Sequence, residues 1–308
     1  MKTIYLLSFR GMGCAISVQL ETEMDGAALL NGIPAQVEAA EAQLSRFRPQ
    51  SDLMQLNAQA GQWVETSPDL YENISAAKQA ARRTGGCYNP LVLPALLASG
   101  YDRTFADIQP PQAATAVPAA DWRGIELMHT LCAVRIPAGS ALDLGGIAKG
   151  WMAARLADTL APYGACLVNI GGDMVARGAP QNYLGWDVAI EDPATGKPLV
   201  SLWLRDACLM TSGVDYRRWT TADGAQQHHI IDPRTGAPAE TDVLTVSVLH
   251  PQATTAEAYA KAVLLRGAED GLNWLQSQWN ASGMVVRRDG AVLATPTFAN
   301  WIQERTLV

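Results

Sequence analysis

The chain has 308 residues, 48% hydrophobic and 17% charged, with its 17 prolines scattered, which is the profile of a compact globular protein rather than a disordered chain and supplies enough apolar material for a large core. A net charge of -7 and a pI near 5.1 set the overall field against phosphate backbones and anionic lipid, so nucleic acid is not an expected partner, although a local diphosphate pocket is still allowed. No apolar run approaches the roughly 18 residues of a membrane span, and five cysteines, odd in number and without a CxxC pair, point to free thiols in the cytoplasm.

In chain order, the run Ile4 to Phe9 is interrupted by Arg10 and is too short for the apolar core of a signal peptide, which needs about 7 uncharged residues. The alternation from Cys14 to Leu20 then reads as a strand. A helix is expected from Ala27 to Arg46, where Leu29, Leu30, Ile33, Val37, Ala40 and Leu44 recur at helical spacing. The next helix is well punctuated: Ser67 as N-cap, Pro68 at the first position, Asp69 and Glu72 near the positive end, and Gly85–Gly86 as the stop. The Pro- and Ala-rich stretch Gln109 to Ala120 reads as a surface loop inside one unit, so residues 1–308 are expected to form a single domain. Strand-like runs follow at Ala133–Ile136, Ala165–Ile170, Trp186–Ile190, Leu199–Leu204 and Val243–Leu249, with helices at Gly146–Leu160, Thr255–Leu265 and Asp270–Gln278. A hairpin is signalled at Asp289–Gly290 between Met284–Val286 and Ala291–Leu293. The pattern predicts an α+β fold with mixed, largely antiparallel sheets and inserted helices.

Three segments put glycine, charge and imidazole where core packing does not ask for them. In Asp143-Leu-Gly-Gly-Ile-Ala-Lys149-Gly150, glycines beside a helix start let backbone N–H groups approach an anion and Lys149 adds a point charge; a glycine-eased turn with a surface lysine explains the string equally well. Asn169-Ile-Gly-Gly-Asp173 is either a close-approach turn with a polar anchor or a plain β-turn. Thr211-Ser-Gly213 and Tyr216 lead to His228-His229-Ile-Ile-Asp232-Pro-Arg-Thr-Gly236, where adjacent histidines on extended chain face opposite ways, so at most one enters a given pocket. No zinc-like spacing and no GxSxG elbow are present.

Taken in order, Met12-Gly13, Leu44 to Leu53 with Asn57, Asn89-Pro90, Asp143 to Gly150, Asn169 to Asp173, Thr211 to Gly213 and His228 to Gly236 resemble the FAD:protein FMN transferase (ApbE-type flavin transferase) family over almost the whole chain. The resemblance implies an FAD site between two lobes and transfer of FMN from FAD, through a phosphoester, to a Ser or Thr of an acceptor protein, with Mg²⁺ as the assisting metal. It further implies that Met12, Cys87, Tyr88, Asn89, Asp143, Lys149 and Ile230 hold FAD, and that His229 takes the proton of the acceptor hydroxyl.

The departures gather at the implied metal positions, which here are Gly146, Glu257 and Lys261. Glu257 keeps a hard oxygen ligand where the family has Asp, whereas Lys261 stands where the family has a ligating Thr. An ammonium repels Mg²⁺, and four residues after Glu257 on a helix it is placed to pair with that carboxylate. Asn89 and Ala154 likewise remove negative charge relative to the family pattern. Two alternatives to transfer follow: flavin binding without catalysis, and FAD pyrophosphatase activity giving FMN and AMP.

Overall fold

A computed structural model describes residues 1–109, 111 and 113–303. Pro110 and Gln112, which fall in the predicted loop at 109–120, lie outside the described residues, as do 304–308. The helices are α1 (Gly26–Leu30), α2 (Ile33–Leu44), α3 (Asp52–Ala58), α4 (Pro68–Arg83), α5 (Leu93–Ala98), α6 (Ala148–Leu160), α7 (Ala253–Arg266) and α8 (Ala268–Gln276). The strands are β1 (Thr3–Gly11), β2 (Cys14–Thr22), β3 (Val64–Glu65), β4 (Glu126–Met128), β5 (Ala133–Arg135), β6 (Ala165–Ile170), β7 (Asp173–Arg177), β8 (Trp186–Glu191), β9 (Pro198–Leu204), β10 (Cys208–Gly213), β11 (Arg218–Thr220), β12 (Gln226–His228), β13 (Ile231–Asp232), β14 (Ala237–Pro238), β15 (Val243–His250), β16 (Ser282–Arg287) and β17 (Val292–Ala294).

Contacts divide the chain into two compact units, each assembled from separate stretches. The first combines Met1–Val37, Lys149–Ser212 and Asp242–Val308; the second combines Glu38–Ala148 and Gly213–Thr241. Unit 1 is built on an eight-stranded sheet of order β1-β2-β6-β7-β10-β15-β16-β17. The pairings β1–β2, β2–β6, β6–β7, β7–β10, β15–β16 and β16–β17 are all antiparallel, as the sequence pattern predicts. Helices α7 and α8 pack along β15 and β16, and a core of Leu167, Trp186, Leu202, Leu249, Met284 and Phe298 closes the sheet against the β8–β9 hairpin. Unit 2 carries the three-stranded β3-β5-β4 sheet, two short ribbons and a core of Leu96, Tyr101, Trp219 and Ile231.

The apolar run after Lys2 is a strand: β1 pairs with β2 through the two-residue turn Met12–Gly13, both with positive φ, the geometry that suits the twist of a hairpin. Helix α4 starts and stops where its caps predict. Ser67 accepts a hydrogen bond from the Leu70 N–H, and Gly85 and Gly86 close the far end by donating to the Arg82 and Ala81 carbonyls, a Schellman arrangement. The single helix expected over Ala27 to Arg46 is two, α1 and α2. Gly32 separates them, and Pro34, which lacks an N–H, is tolerated only in the first turn of the new helix. The C-terminal hairpin forms with Arg288–Gly290 as its turn, closed by the Arg287 N–H on the Ala291 carbonyl at 2.8 Å.

Among the described residues, no helix is long and apolar enough to cross a membrane.

Candidate functional site

In unit 1, strand order and polarity bring the sequence-marked turns to one end of the sheet. The Met12–Gly13 turn enters β2, whose first residues pair with the last residues of β6, and Cys14 lies against Gly171 in the Asn169-to-Asp173 turn. That turn is tied down by the Gly171 N–H on the Ala15 carbonyl at 3.0 Å and the Gly172 N–H on Asn169 Oδ1 at 2.8 Å. β10 runs back beside β7, so Thr211 donates its N–H to Asp173 Oδ1 at 3.3 Å, and the Thr211 hydroxyl meets that of Ser247 on β15 at 2.8 Å.

The first turn of α6 arrives at the same place. Lys149 is paired with the buried carboxylate of Asp173 through Oδ2. One residue on, the Gly150 N–H donates to Glu257 Oε2 on α7 at 3.1 Å. Glu257 is 2% exposed, and its other oxygen faces Lys261 Nζ at 3.4 Å. Two lysines, each 18% exposed, are thus each backed by a carboxylate that is almost wholly buried, and the pairs are joined through consecutive residues 149 and 150. A buried carboxylate needs such compensation, because removing the partner leaves an uncompensated charge. Ammonium groups are donors only and cationic, a chemistry that suits the oxygens of a diphosphate.

The same geometry does not suit a divalent cation at Glu257. Both carboxylate oxygens are engaged, one by an amide and one by an ammonium, whereas Mg²⁺ requires close oxygen ligands in octahedral array. No group of three or more His, Cys, Asp or Glu gathers as a metal would need among the described residues. Gly146, the remaining metal position implied by the sequence, is a buried residue of unit 2.

Unit 2 gathers the other sequence-marked segments. Asp143 donates its N–H to the Pro90 carbonyl at 2.8 Å, accepts from the Gly145 N–H at 2.8 Å, and is bound by Arg46 Nε at 2.9 Å. The Arg46 guanidinium lies 4.1 Å from the Phe47 ring centroid and 4.4 Å from that of Tyr101, and donates through Nη1 to the Tyr101 carbonyl at 2.7 Å. Asn57 reads both backbone groups of Leu142, at 3.0 and 2.8 Å, fixing the approach to Asp143. Asn89 bridges the Leu91 N–H and the Ala120 carbonyl, while buried Tyr88 and half-buried Cys87 precede it.

The Asp232-to-Gly236 turn packs on the 117–119 segment, with the Ala119 N–H on the Pro233 carbonyl at 2.9 Å. A side chain at Gly236 would collide with the Val117 backbone at 2.0 Å, so only glycine fits. The two histidines differ as alternation predicts. His228 is buried, with Nε2 3.1 Å from the Ala239 carbonyl and Nδ1 accepting from the Ile230 N–H at 3.3 Å, an arrangement that fixes the neutral tautomer protonated on Nε2. His229 is half-buried, with its backbone N–H on the Arg217 carbonyl; Ile230 beside it is buried.

Sequence reasoning marked Lys149, Asp173, Thr211, Glu257 and Lys261, but not Ser247 or the Gly150 contact. Ser247 sits on buried strand β15 between Val246 and Val248, where a hydroxyl with buried apolar neighbours was the available signal.

Comparison with known proteins gives a consistent answer. Curated relatives named FAD:protein FMN transferase include one from Treponema pallidum (strain Nichols), 35% identical over 84% of this chain and 77% of its own length. Another, from Vibrio cholerae, is 28% identical over 90% of this chain and 82% of its length. Among solved structures, the ApbE protein from Thermotoga maritima superposes with a TM-score of 0.88 at 23% identity, covering 98% of this chain and all of that one. The flavin transferase ApbE from Vibrio cholerae gives 0.81 at 24% identity, covering 98% and 100%. The sequence profile of the ApbE family matches residues 12–285, and with these relatives it shows that the chain belongs to the ApbE family.

Proposed function

We propose that this protein is an FAD:protein FMN transferase, moving FMN from FAD to a Ser or Thr hydroxyl of an acceptor protein. The observation that carries the reading is the end of the unit 1 sheet, where Lys149 in the first turn of α6 reaches Asp173, next to the Gly171–Gly172 turn, and the Met12–Gly13 turn enters the adjoining β2. A lysine held in place beside glycine turns that allow close backbone approach is an arrangement that suits a diphosphate. Met12, Cys87, Tyr88, Asn89, Asp143, Lys149 and Ile230 are assigned to FAD on this reading.

The chemistry is substitution at the phosphorus of the FMN half. The acceptor oxygen forms the new P–O bond as the bond to the bridging oxygen breaks and AMP leaves with that oxygen. His229 takes the acceptor's hydroxyl proton and passes it to water, while Lys149 stabilises negative charge on the phosphates. His228 is unsuited to the base role, since both of its ring nitrogens are committed to backbone groups. Assignment to the cytoplasm goes with this reading, supported by five cysteines that are all free.

The test is mass spectrometry of the protein with FAD and a Ser- or Thr-bearing acceptor peptide. Peptide carrying FMN, with stoichiometric AMP, is the expected result. FMN and AMP without modified peptide would indicate hydrolysis instead, and unchanged FAD despite saturable binding would indicate a flavin carrier.

A further inference from the structure

We infer that Lys261 is the resident cation of the Glu257 site, so that this chain excludes a divalent metal there and handles phosphate with two fixed ammonium groups. The inference rests on the transferase reading only for what the charge acts on; the exclusion of metal follows from the geometry. Glu257 is nearly fully buried, and its two oxygens are shared between the Gly150 N–H at 3.1 Å and Lys261 Nζ at 3.4 Å. Lys261 is four residues on along α7, so the helix itself holds the ammonium over the carboxylate. A divalent ion approaching the same carboxylate would meet a positive charge in place of an oxygen ligand.

The neighbouring pair has the same construction. Lys149 is as exposed as Lys261, and Asp173 as buried as Glu257. Position 150 links them: an added Cβ there would lie 2.9 Å from Glu257 Oε2 and 3.3 Å from the Ala253 carbonyl, so glycine is what lets the α6 amide reach the carboxylate. Each carboxylate neutralises and orients one lysine, whose side chain stays partly exposed. The unit therefore presents two cationic donors whose positions come from folding and whose occupancy does not depend on an ion in solution.

The experiment uses the full chain, with Mn²⁺ as the probe, titrated by electron paramagnetic resonance with and without FAD. The parent protein is expected to leave the free Mn²⁺ signal unchanged. Lys261→Thr, which removes the charge and supplies an oxygen, is expected to take up one Mn²⁺ per chain, a gain in affinity of about 10- to 100-fold, the size usual for a single change beside a metal ligand. Lys261→Arg, which keeps the charge, is expected to behave as the parent. Transfer by the parent should be unaffected by EDTA, whereas Lys261→Thr should transfer only with added divalent ion. Stoichiometric Mn²⁺ on the parent, with affinity equal to that of Lys261→Thr, would overturn the inference whatever the activity. Should Lys261→Thr not fold by circular dichroism, the parent titration alone decides. Because that titration involves no acceptor, a protein that binds FAD and excludes Mn²⁺ but moves no FMN would sink the transfer reading and leave this inference standing.

Discussion

Gly150 and Glu257, 107 positions apart in sequence, are in contact through a backbone N–H on a buried carboxylate, and no room is left between them for a methyl group. Replacing a glycine inside a helix by alanine ordinarily stabilises it by about 1 kcal/mol. Here the added carbon would push the carboxylate off its amide and away from Lys261, so Gly150→Ala is expected to destabilise the protein by about 1–3 kcal/mol, the usual cost of overpacking. Urea denaturation gives the sign directly; a stabilised variant would mean that Glu257 moves aside freely.

The two histidines should separate cleanly. His229→Ala is expected to lower the rate of FMN transfer by about 10²- to 10⁴-fold, the usual contribution of a general base, with FAD affinity retained. His228→Ala strips partners from the Ala239 carbonyl and the Ile230 N–H, and should cost about 1–3 kcal/mol of stability. Rate assays and melts of both variants are the check. Equal loss of transfer in each at equal stability would mean that the base is elsewhere.

Arg46 holds Asp143 from a nearly buried position between two aromatic rings. Arg46→Met should cost about 3–5 kcal/mol, since it leaves a carboxylate with no counter-charge. Pairing it with Asp143→Asn should recover part of that loss, and chemical denaturation of the single and double variants measures the coupling. Purely additive losses would mean that the ion pair contributes nothing beyond packing.

Burial raises the thiols of Cys166 and Cys208 from the ordinary value of 9.0 to about 11, each S–H donating to a carbonyl at 3.4 Å. The folded state therefore keeps protons that the unfolded chain releases above pH 9. The stability from these groups is fully present below pH 9 and is lost as pH rises from 9 to 11. Denaturation midpoints across that range should fall, and fall less in Cys208→Ala. Alkylation of the native protein below pH 9 should label half-buried Cys14, Cys87 and Cys132 well ahead of the other two.

Where local chemistry decides, the sequence was readable. Ser67 with Pro68 and the Gly85–Gly86 pair mark α4 because capping and termination are short-range events. The break at Gly32 was hidden because the apolar spacing continues through it, and only the missing N–H of Pro34 betrays a new start. At the site, Lys149 and Asp173 were marked by the glycines beside them, and Glu257 and Lys261 by the family resemblance. The pairing of Lys261 with Glu257 was legible from its helical spacing, but the Lys149–Asp173 pair and the Gly150–Glu257 contact were not, since contacts across 24 and 107 residues depend on strand order rather than on any local pattern. Ser247 escaped notice for the opposite reason, since β15 is buried on both faces and small hydroxyls such as Thr245 and Ser247 do not interrupt a strand reading.

The strand order also has a consequence for biosynthesis. β15 lies between β10 and β16 in the middle of the sheet, yet only the last quarter of the chain supplies β15, β16 and β17. On the ribosome, β1, β2, β6, β7 and β10 emerge first and must wait with the inner edge of β10 unpaired. Unit 2, by contrast, has all its residues once Thr241 has been made. An unpaired inner edge is a template for wrong partners. A nascent chain stalled when Thr241 has just left the exit tunnel should therefore show a protease-resistant core from unit 2 and a sticky, chaperone-dependent remainder, and release of the final segment should remove that dependence in one step.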